Sequence, residues 1–359
     1  MLRWRRVKLA AGVLLAAAPA VYMVAAAPRG DVGGARLALT APLPQSVPPG
    51  VTLAIGEPMT EAVMKHLGWR APFAIKWARI TGGPAVTEAF HAKVLDVGLS
   101  ADIPPIHATW VGIPVKTIAV MFRADPANHP LYELAVAPGS GVASLADLRG
   151  KRIAFSPGQV QGEVVLRTLA AEHLTKKDVT LVELPSTSVD VYINALVGGL
   201  VDAAPLAPGA ASRHYIDDWG AKGARLLPHP GFRDDLTNIY VREETLADPA
   251  KAAALRAYVQ LWARANAWID AHPQEWARLY YVQQEGLSPD DADYVVAAAG
   301  RRDAPCDWAG AVALQQSAVD LMAAETGHKR FDAHALFDAR FEPVEAQAWS
   351  TARQQVASR

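Results

Sequence analysis

At 359 residues, half of them hydrophobic and with a formal net charge of −1, the chain is long enough for one two-lobed molecule or two ordinary domains with sizeable cores. It has no basic stripe and no interleaving of aromatic with basic residues, so nucleic acid is not an expected partner. The single cysteine, Cys306, excludes an intramolecular disulfide and reads as a small, half-buried residue.

The first element is a targeting segment. Arg3, Arg5, Arg6 and Lys8 precede an apolar run from Leu9 to Ala27 that closes on Ala25-Ala26-Ala27, the pattern of a secretory signal over residues 1–27. The run is long enough that an uncleaved anchor is its rival reading, but Pro19 and the small-residue end favour cleavage. Arg5-Arg6 leaves the export route open between the general secretory and twin-arginine systems. Cleavage would move the net charge from −1 to about −5. No lipid-attachment cysteine follows the apolar run, and residues 28–50, rich in Pro, Gly and Ala, read as a linker that holds the folded part away from the signal or the membrane.

Strand and helix then alternate, which predicts parallel strands crossed by helices. Val51–Ile55 is a strand ending at Gly56, followed by a helix from about Thr60 to Leu67. Phe73–Ile80 is a strand that runs through Thr81-Gly82-Gly83-Pro84 into a helix, and Val94–Leu99 is a third that ends in Ser100-Ala101-Asp102. After Val115–Phe122 the chain enters a second lobe near Ala135–Pro138. There a short helix with Leu145 and Leu148, strand Ile153–Phe155, helix Gln159–Glu172, strand Thr180–Leu184, helix Ser188–Val197 and strand Leu200–Ala203 repeat the pattern, followed by a proline-broken loop. Thr237–Val241 reads as the return. Helices opened by Asp248-Pro249, Ser288-Pro289 and Asp307 complete the chain. The expected organisation is a first lobe over 51–137 plus 239–359, a second over 138–238, two crossover hinge strands, and a ligand cleft at the carboxyl ends of the strands.

Catalytic arrangements are scarce. Gly139-Ser140-Gly141 lacks the outer spacing of a nucleophile elbow, and Gly150-Lys151-Arg152 lacks the upstream glycine and the hydroxyl of a phosphate loop. The histidines form no His-x-x-x-His or His-x-His pair, so no metal site is expected, and Asp217-Asp218 and Asp234-Asp235 read as solvated loop residues. Four strand-end loops are more informative: Met59 and Thr60 in the first, Gly82 and Gly83 in the second, Ser100, Ala101 and Asp102 in the third, and Gly158, Gln159, Val160 and Gln161 in the fourth. Any one alone is an ordinary turn. Four in register with a two-lobed pattern favour a ring of backbone amides and hydroxyls around a small acceptor-rich ligand.

The segment from Ser144 to Gly162, SLADLRGKRIAFSPGQVQG, and the stretch beginning TGGPAVTEAF at Thr81 resemble the solute-binding proteins of ABC importers, in the group for sulfonates, nitrate, taurine and thiamine-pyrimidine precursors. The resemblance runs over about residues 51 to 285. It implies an α/β, two-lobed type II periplasmic-binding fold with a helical C-terminal region, and Gly82, Gly83, Ser100, Ala101, Asp102, Gly158, Gln159 and Val160 facing the ligand. It also implies an exported, monomeric, cofactor-free binder that delivers its ligand to an inner-membrane permease. Relatives carry a tryptophan and a Trp-Asp-Pro triplet where this chain has Ala204 to Gly209, which implies a roomier, more apolar cleft and counts against taurine. No arginine falls in the four loops, which counts against nitrate. The alternatives are a membrane-tethered sensing or scaffolding module and an enzyme on the same fold; the pyrimidine synthases that resemble these binders depend on a cysteine-rich, histidine-bearing segment that this chain does not have.

Overall fold

The computed structural model describes residues 36–80, 82–186 and 188–358, and the signal expected over residues 1–27 lies outside them. The first run of elements is β1 (Thr52–Gly56), α1 (Pro58–Leu67), β2 (Ala74–Trp77), α2 (Gly83–His91), β3 (Val97–Ser100), α3 (Ile103–Trp110) and β4 (Val115–Arg123). The second is β5 (Glu133–Val136), β6 (Arg152–Phe155), α4 (Val160–Ala171), β7 (Thr180–Glu183), α5 (Val189–Val197), β8 (Ala203–Leu206), α6 (Ala210–Trp219) and β9 (Arg225–Leu227). The chain closes with β10 (Thr237–Arg242), α7 (Glu243–Leu246), α8 (Pro249–Ala271), α9 (Pro273–Trp276), α10 (Pro289–Ala299), β11 (Arg302–Asp303), α11 (Ala309–Thr326) and α12 (Glu342–Ala357).

The described strands form two sheets, one in the order β11-β4-β10-β3-β1-β2 and one in the order β7-β6-β8-β5-β9. Each is mixed rather than parallel throughout. β1 runs parallel to β2 and β3, but β10 comes back antiparallel between β3 and β4, and β5 is antiparallel to β8 and β9. The antiparallel strands are those that carry the chain between sheets, so a returning strand inserts against the direction set by the β-α-β units. β4 is buried at every position but Lys116 and Arg123, which is why it reads as an unbroken apolar run: both of its faces are covered.

Several local expectations shift. Residues 133–136 belong to the second sheet, because β5 lies between β8 and β9; the first crossover therefore falls between Arg123 and Glu133, upstream of Ala135–Pro138. The strand expected at Leu200–Ala203 is instead Ala203–Leu206 and runs through Pro205, whose partner in the register is Leu134. Leu145–Leu148 is a single 3₁₀ turn, capped by Ser144 and Asp147. From Arg36 onward the expected linker is packed: Leu43 is buried in the first core, and the Leu37 amide donates to the Ala247 carbonyl at 2.8 Å. Cys306 is exposed. Among the described residues no helix is long and apolar enough to cross a membrane.

Asp234 and Asp235 are not solvated; they are 1% and 2% exposed and stitch the two crossovers together. Asp234 accepts the amides of Leu131 at 2.9 Å and Tyr132 at 2.8 Å, while Asp235 accepts the Arg123 amide at 2.7 Å and pairs with Arg233 at 2.8 Å. Burial pushes the Asp234 carboxyl up to about 6 against these favourable contacts. The second sheet also reaches the first core directly, through Val160, Val164 and Leu166 of α4.

Candidate functional site

A cavity of about 340 Å³ lies where the carboxyl ends of first-sheet strands meet the start of α4. Two helix N-termini frame it, one from each sheet. α2 begins after Gly82 and α4 after Gln159, and neither cap residue supplies a side-chain hydrogen bond to the first turn. Uncapped first-turn amides and the positive ends of two helix dipoles thus face the same space. The glycines make this approach possible. Gly82 takes φ of +83°, a conformation that side chains disfavour, and a Cβ at Gly83 would lie 2.5 Å from both Gln159 Oε1 and Pro104 Cγ. Gly83 is therefore where the second sheet's loop presses directly on the first sheet's helix.

Of the positions singled out in the sequence, Gly82, Gly83, Ser100, Ala101, Gln159, Val160 and Gln161 line this cavity. Four do not. Thr60 is fully buried and serves the start of α1, where its amide donates to Glu57 at 2.9 Å. Met59 lines a smaller chamber behind the cavity. Gly158 avoids positive φ, and a Cβ there would meet the His107 ring at 3.4 Å, an ordinary contact. Asp102 is fully buried at the head of α3, where Oδ1 accepts the Ile103 amide at 2.8 Å. Burial, and next the neighbouring Glu163 charge, hold its carboxyl well above the usual carboxylate range.

Sequence reading missed Leu131, Tyr132, Ser186 and Thr237 in the cavity wall. Ser186 was findable, since it follows β7 as the other loops follow their strands. Tyr132 lies on the first crossover and Thr237 opens β10 as the chain returns, where no periodicity marks a ligand-facing side. Burial pushes the Tyr132 phenol upward, so it stays a neutral hydrogen-bond donor. The cavity-lining residues carry no charge. An anion held here would be answered by helix ends, amides and hydroxyls rather than by a guanidinium, an arrangement suited to a small group rich in acceptor oxygens.

This geometry is a two-sheet α/β fold with a cavity at the strand ends between the sheets. The NMT1/THI5-like family matches residues 78–276, more than half of the chain, and the protein belongs to that family. An Escherichia coli (strain K12) protein named as an aliphatic sulfonates-binding protein is 30% identical over 105 residues, 29% of this chain and 32% of the relative. A Bacillus subtilis (strain 168) protein of the same name is 23% identical over 224 residues, 61% of this chain and 64% of the relative, so the matches span less than two thirds of either relative. Among solved structures, the alkanesulfonate-binding protein SsuA from Xanthomonas axonopodis pv. citri, bound to MOPS, superposes with a TM-score of 0.65 at 21% identity, covering 83% of this chain and 99% of that one. The desulfurization enzyme DSZB superposes with a TM-score of 0.56 at 15% identity, covering 82% and 99%. The fold is that of the periplasmic binding proteins, and it also carries enzymes.

Proposed function

We propose that this protein is the extracytoplasmic solute-binding component of an ABC importer, and that it holds a small organic anion of the aliphatic sulfonate class between its two sheets. The single observation that carries the reading is the pair of uncapped helix N-termini, α2 from one sheet and α4 from the other, facing one uncharged cavity. A sulfonate presents three oxygens around one charge and can take amides from both sides at once, so it bridges the sheets as a single-faced ligand cannot. The names of the two curated relatives support the same class. Binding without turnover fits a wall that, among the described residues, offers hydroxyls and amides but neither a histidine nor a cysteine.

In this reading the sheets are the cores of two lobes, joined by the crossovers at residues 124–132 and 228–236, and the described arrangement is the closed one. Arg167 Nη2 reaches Ser317 at 3.2 Å and Lys176 pairs with Glu325 at 3.1 Å, both linking second-sheet elements to α11. The protein acts as a monomer in the periplasm after cleavage near Ala27, and hands its ligand to an inner-membrane permease. N-terminal sequencing of the exported protein checks the cleavage; a chain that still begins at Met1 and stays with the membrane would favour a tethered module.

Calorimetric titration with methanesulfonate, ethanesulfonate, acetate, nitrate and sulfate tests the ligand class. The expected result is micromolar binding of a sulfonate, about 8 kcal/mol, and much weaker binding of the inorganic anions. Binding of nitrate or acetate with no response to any sulfonate would overturn it.

A further inference from the structure

Behind the cavity lies a second chamber of about 110 Å³, and Leu99, Leu131 and Thr237 belong to the walls of both. These three residues form a throat. Beyond it the chamber is walled by Met59, Met121, Phe122 and Trp262, with Asn266 one turn further along α8. At about 30 Å³ for a water-sized group, the chamber takes roughly four non-hydrogen atoms.

The charged groups at its wall already have partners. Arg123 Nη1 donates to the His129 carbonyl at 2.7 Å and its charge is met by the nearby Asp234 and Asp235 carboxylates, Arg302 pairs with Asp270 at 3.2 Å, and Asp235 is held by Arg233 and by the Arg123 amide. The chamber therefore offers no spare charge to a ligand. It does offer hydrogen bonds. Trp262 is 1% exposed and its indole N–H has no acceptor, a state that costs free energy until one arrives. Asn266 spends its Nδ2 on the Trp262 carbonyl at 3.0 Å, which leaves Oδ1 as an acceptor on a residue one helical turn from that donor. Both are fixed by the same helix face, on which Tyr258, one turn earlier, donates to Glu57 at 3.3 Å; Glu57 in turn caps α1 and holds Met59.

We propose that the inner chamber takes the uncharged end of the ligand, a short chain ending in a hydroxyl that accepts from Trp262 Nε1 and donates to Asn266 Oδ1. The proposal rests on the sulfonate reading of the outer cavity and refines it to hydroxyalkanesulfonates. A methyl terminus of the same length would fill the space but leave the indole N–H unanswered. An ammonium terminus would meet that donor with the wrong polarity.

The test compares 4-hydroxybutane-1-sulfonate with pentane-1-sulfonate, which have equal numbers of non-hydrogen atoms, by calorimetry on the full protein. Methanesulfonate, too short to pass the throat, reports the outer cavity separately. The expected result is that the hydroxyl ligand binds at least tenfold more tightly than its methyl counterpart, and that Trp262→Phe brings the ratio to within twofold. Met59→Phe, at a half-buried position that tolerates change better, should weaken both longer ligands about tenfold relative to methanesulfonate by filling the chamber. Equal affinities in the unaltered protein, or a tenfold ratio that survives Trp262→Phe, would overturn the assignment. Failure of methanesulfonate itself to bind would instead overturn the sulfonate reading, and the chamber assignment with it.

Discussion

The Asp102–Glu163 pair makes folding stability depend on pH in a way that one substitution should abolish. Asp102, at the head of α3, and Glu163, in α4, are 0% and 1% exposed, and Asp102 Oδ2 and Glu163 Oε2 are each left without a hydrogen-bond partner. Two buried carboxyl groups that repel each other do not both ionise, so one keeps its proton. One positive charge is at hand: Arg167 donates to Glu163 Oε1 at 2.7 Å. It compensates one carboxylate and leaves the other to be neutralised. Tyr132 also faces Asp102, but burial keeps its phenol protonated, so it adds no charge. Burial first, and then the Glu163 charge, raise the Asp102 carboxyl well above its ordinary 3.8. The unfolded chain loses this proton as pH rises past about 4, whereas the folded chain keeps it. Protons bound in the unfolded state minus those bound in the folded state is then −1, so unfolding free energy falls by about 1.4 kcal/mol per pH unit. The stabilisation is complete below 3.8 and is lost as pH rises to the raised folded value.

Asp102→Asn should remove that slope, because an amide of the same shape carries no titratable proton. Urea unfolding of both proteins at pH 5, 6 and 7 measures it. The variant should gain up to about 1.4 kcal/mol per pH unit relative to the original chain for as long as the folded chain keeps the Asp102 proton. Asp234, whose carboxyl is also raised, contributes a slope of the same sign between 3.8 and about 6, but it is present in both proteins and cancels in the difference. Parallel stability profiles for the two proteins would refute the retained Asp102 proton.

Three further outcomes are expected. Gly83→Val should weaken methanesulfonate binding at least tenfold, because its Cβ would displace Gln159 and Pro104, whereas Gly158→Ala, which meets only the His107 ring at an ordinary distance, should leave affinity within about twofold; calorimetry on the two variants makes the comparison. Asp234→Ala should destabilise by about 2–4 kcal/mol in urea unfolding, since it strips the acceptor from two amides, and it should also lower affinity because Tyr132 loses its anchor. Glu345, fully buried, accepts the Val120 amide at 2.9 Å and Trp308 Nε1 at 2.8 Å. Glu345→Ala should therefore cost about 2–4 kcal/mol, and Glu345→Gln, which keeps an acceptor, markedly less, as read from denaturation midpoints.

The residues that could be read from sequence are those whose role is local. Gly82, Gly83 and Gln159 end strands and open helices, and the backbone geometry that makes such a turn useful is written within a few residues of it. The Asp248-Pro249 and Ser288-Pro289 caps are legible for the same reason. What escaped depends on partners distant in the chain. Asp102 resembles a ligand-facing loop residue until Glu163 is placed beside it, and Asp234-Asp235 resembles a solvated pair until the Leu131, Tyr132 and Arg123 amides arrive from the other crossover. Glu133–Val136 has no burial alternation to say which sheet it joins; only its pairing with β8 and β9 decides.

The misread residues share a physical feature. Asp102, Asp234 and Asp235 are buried carboxylates, and each accepts a backbone amide where a segment would otherwise leave a donor unpaired. A hydrophobicity pattern treats every one as a surface residue, because exposure is where carboxylates are found unless something answers them. In a molecule whose chain crosses twice between two sheets, the crossovers cannot satisfy their amides within a regular ladder, and a carboxylate with two acceptor oxygens can serve two donors at once. Asp234 does so for Leu131 and Tyr132 at the point where the cavity wall is also the link between sheets. The acids that looked least structural in the sequence therefore fix how the two halves meet, and the ligand-facing groups are held by them rather than drawn from them.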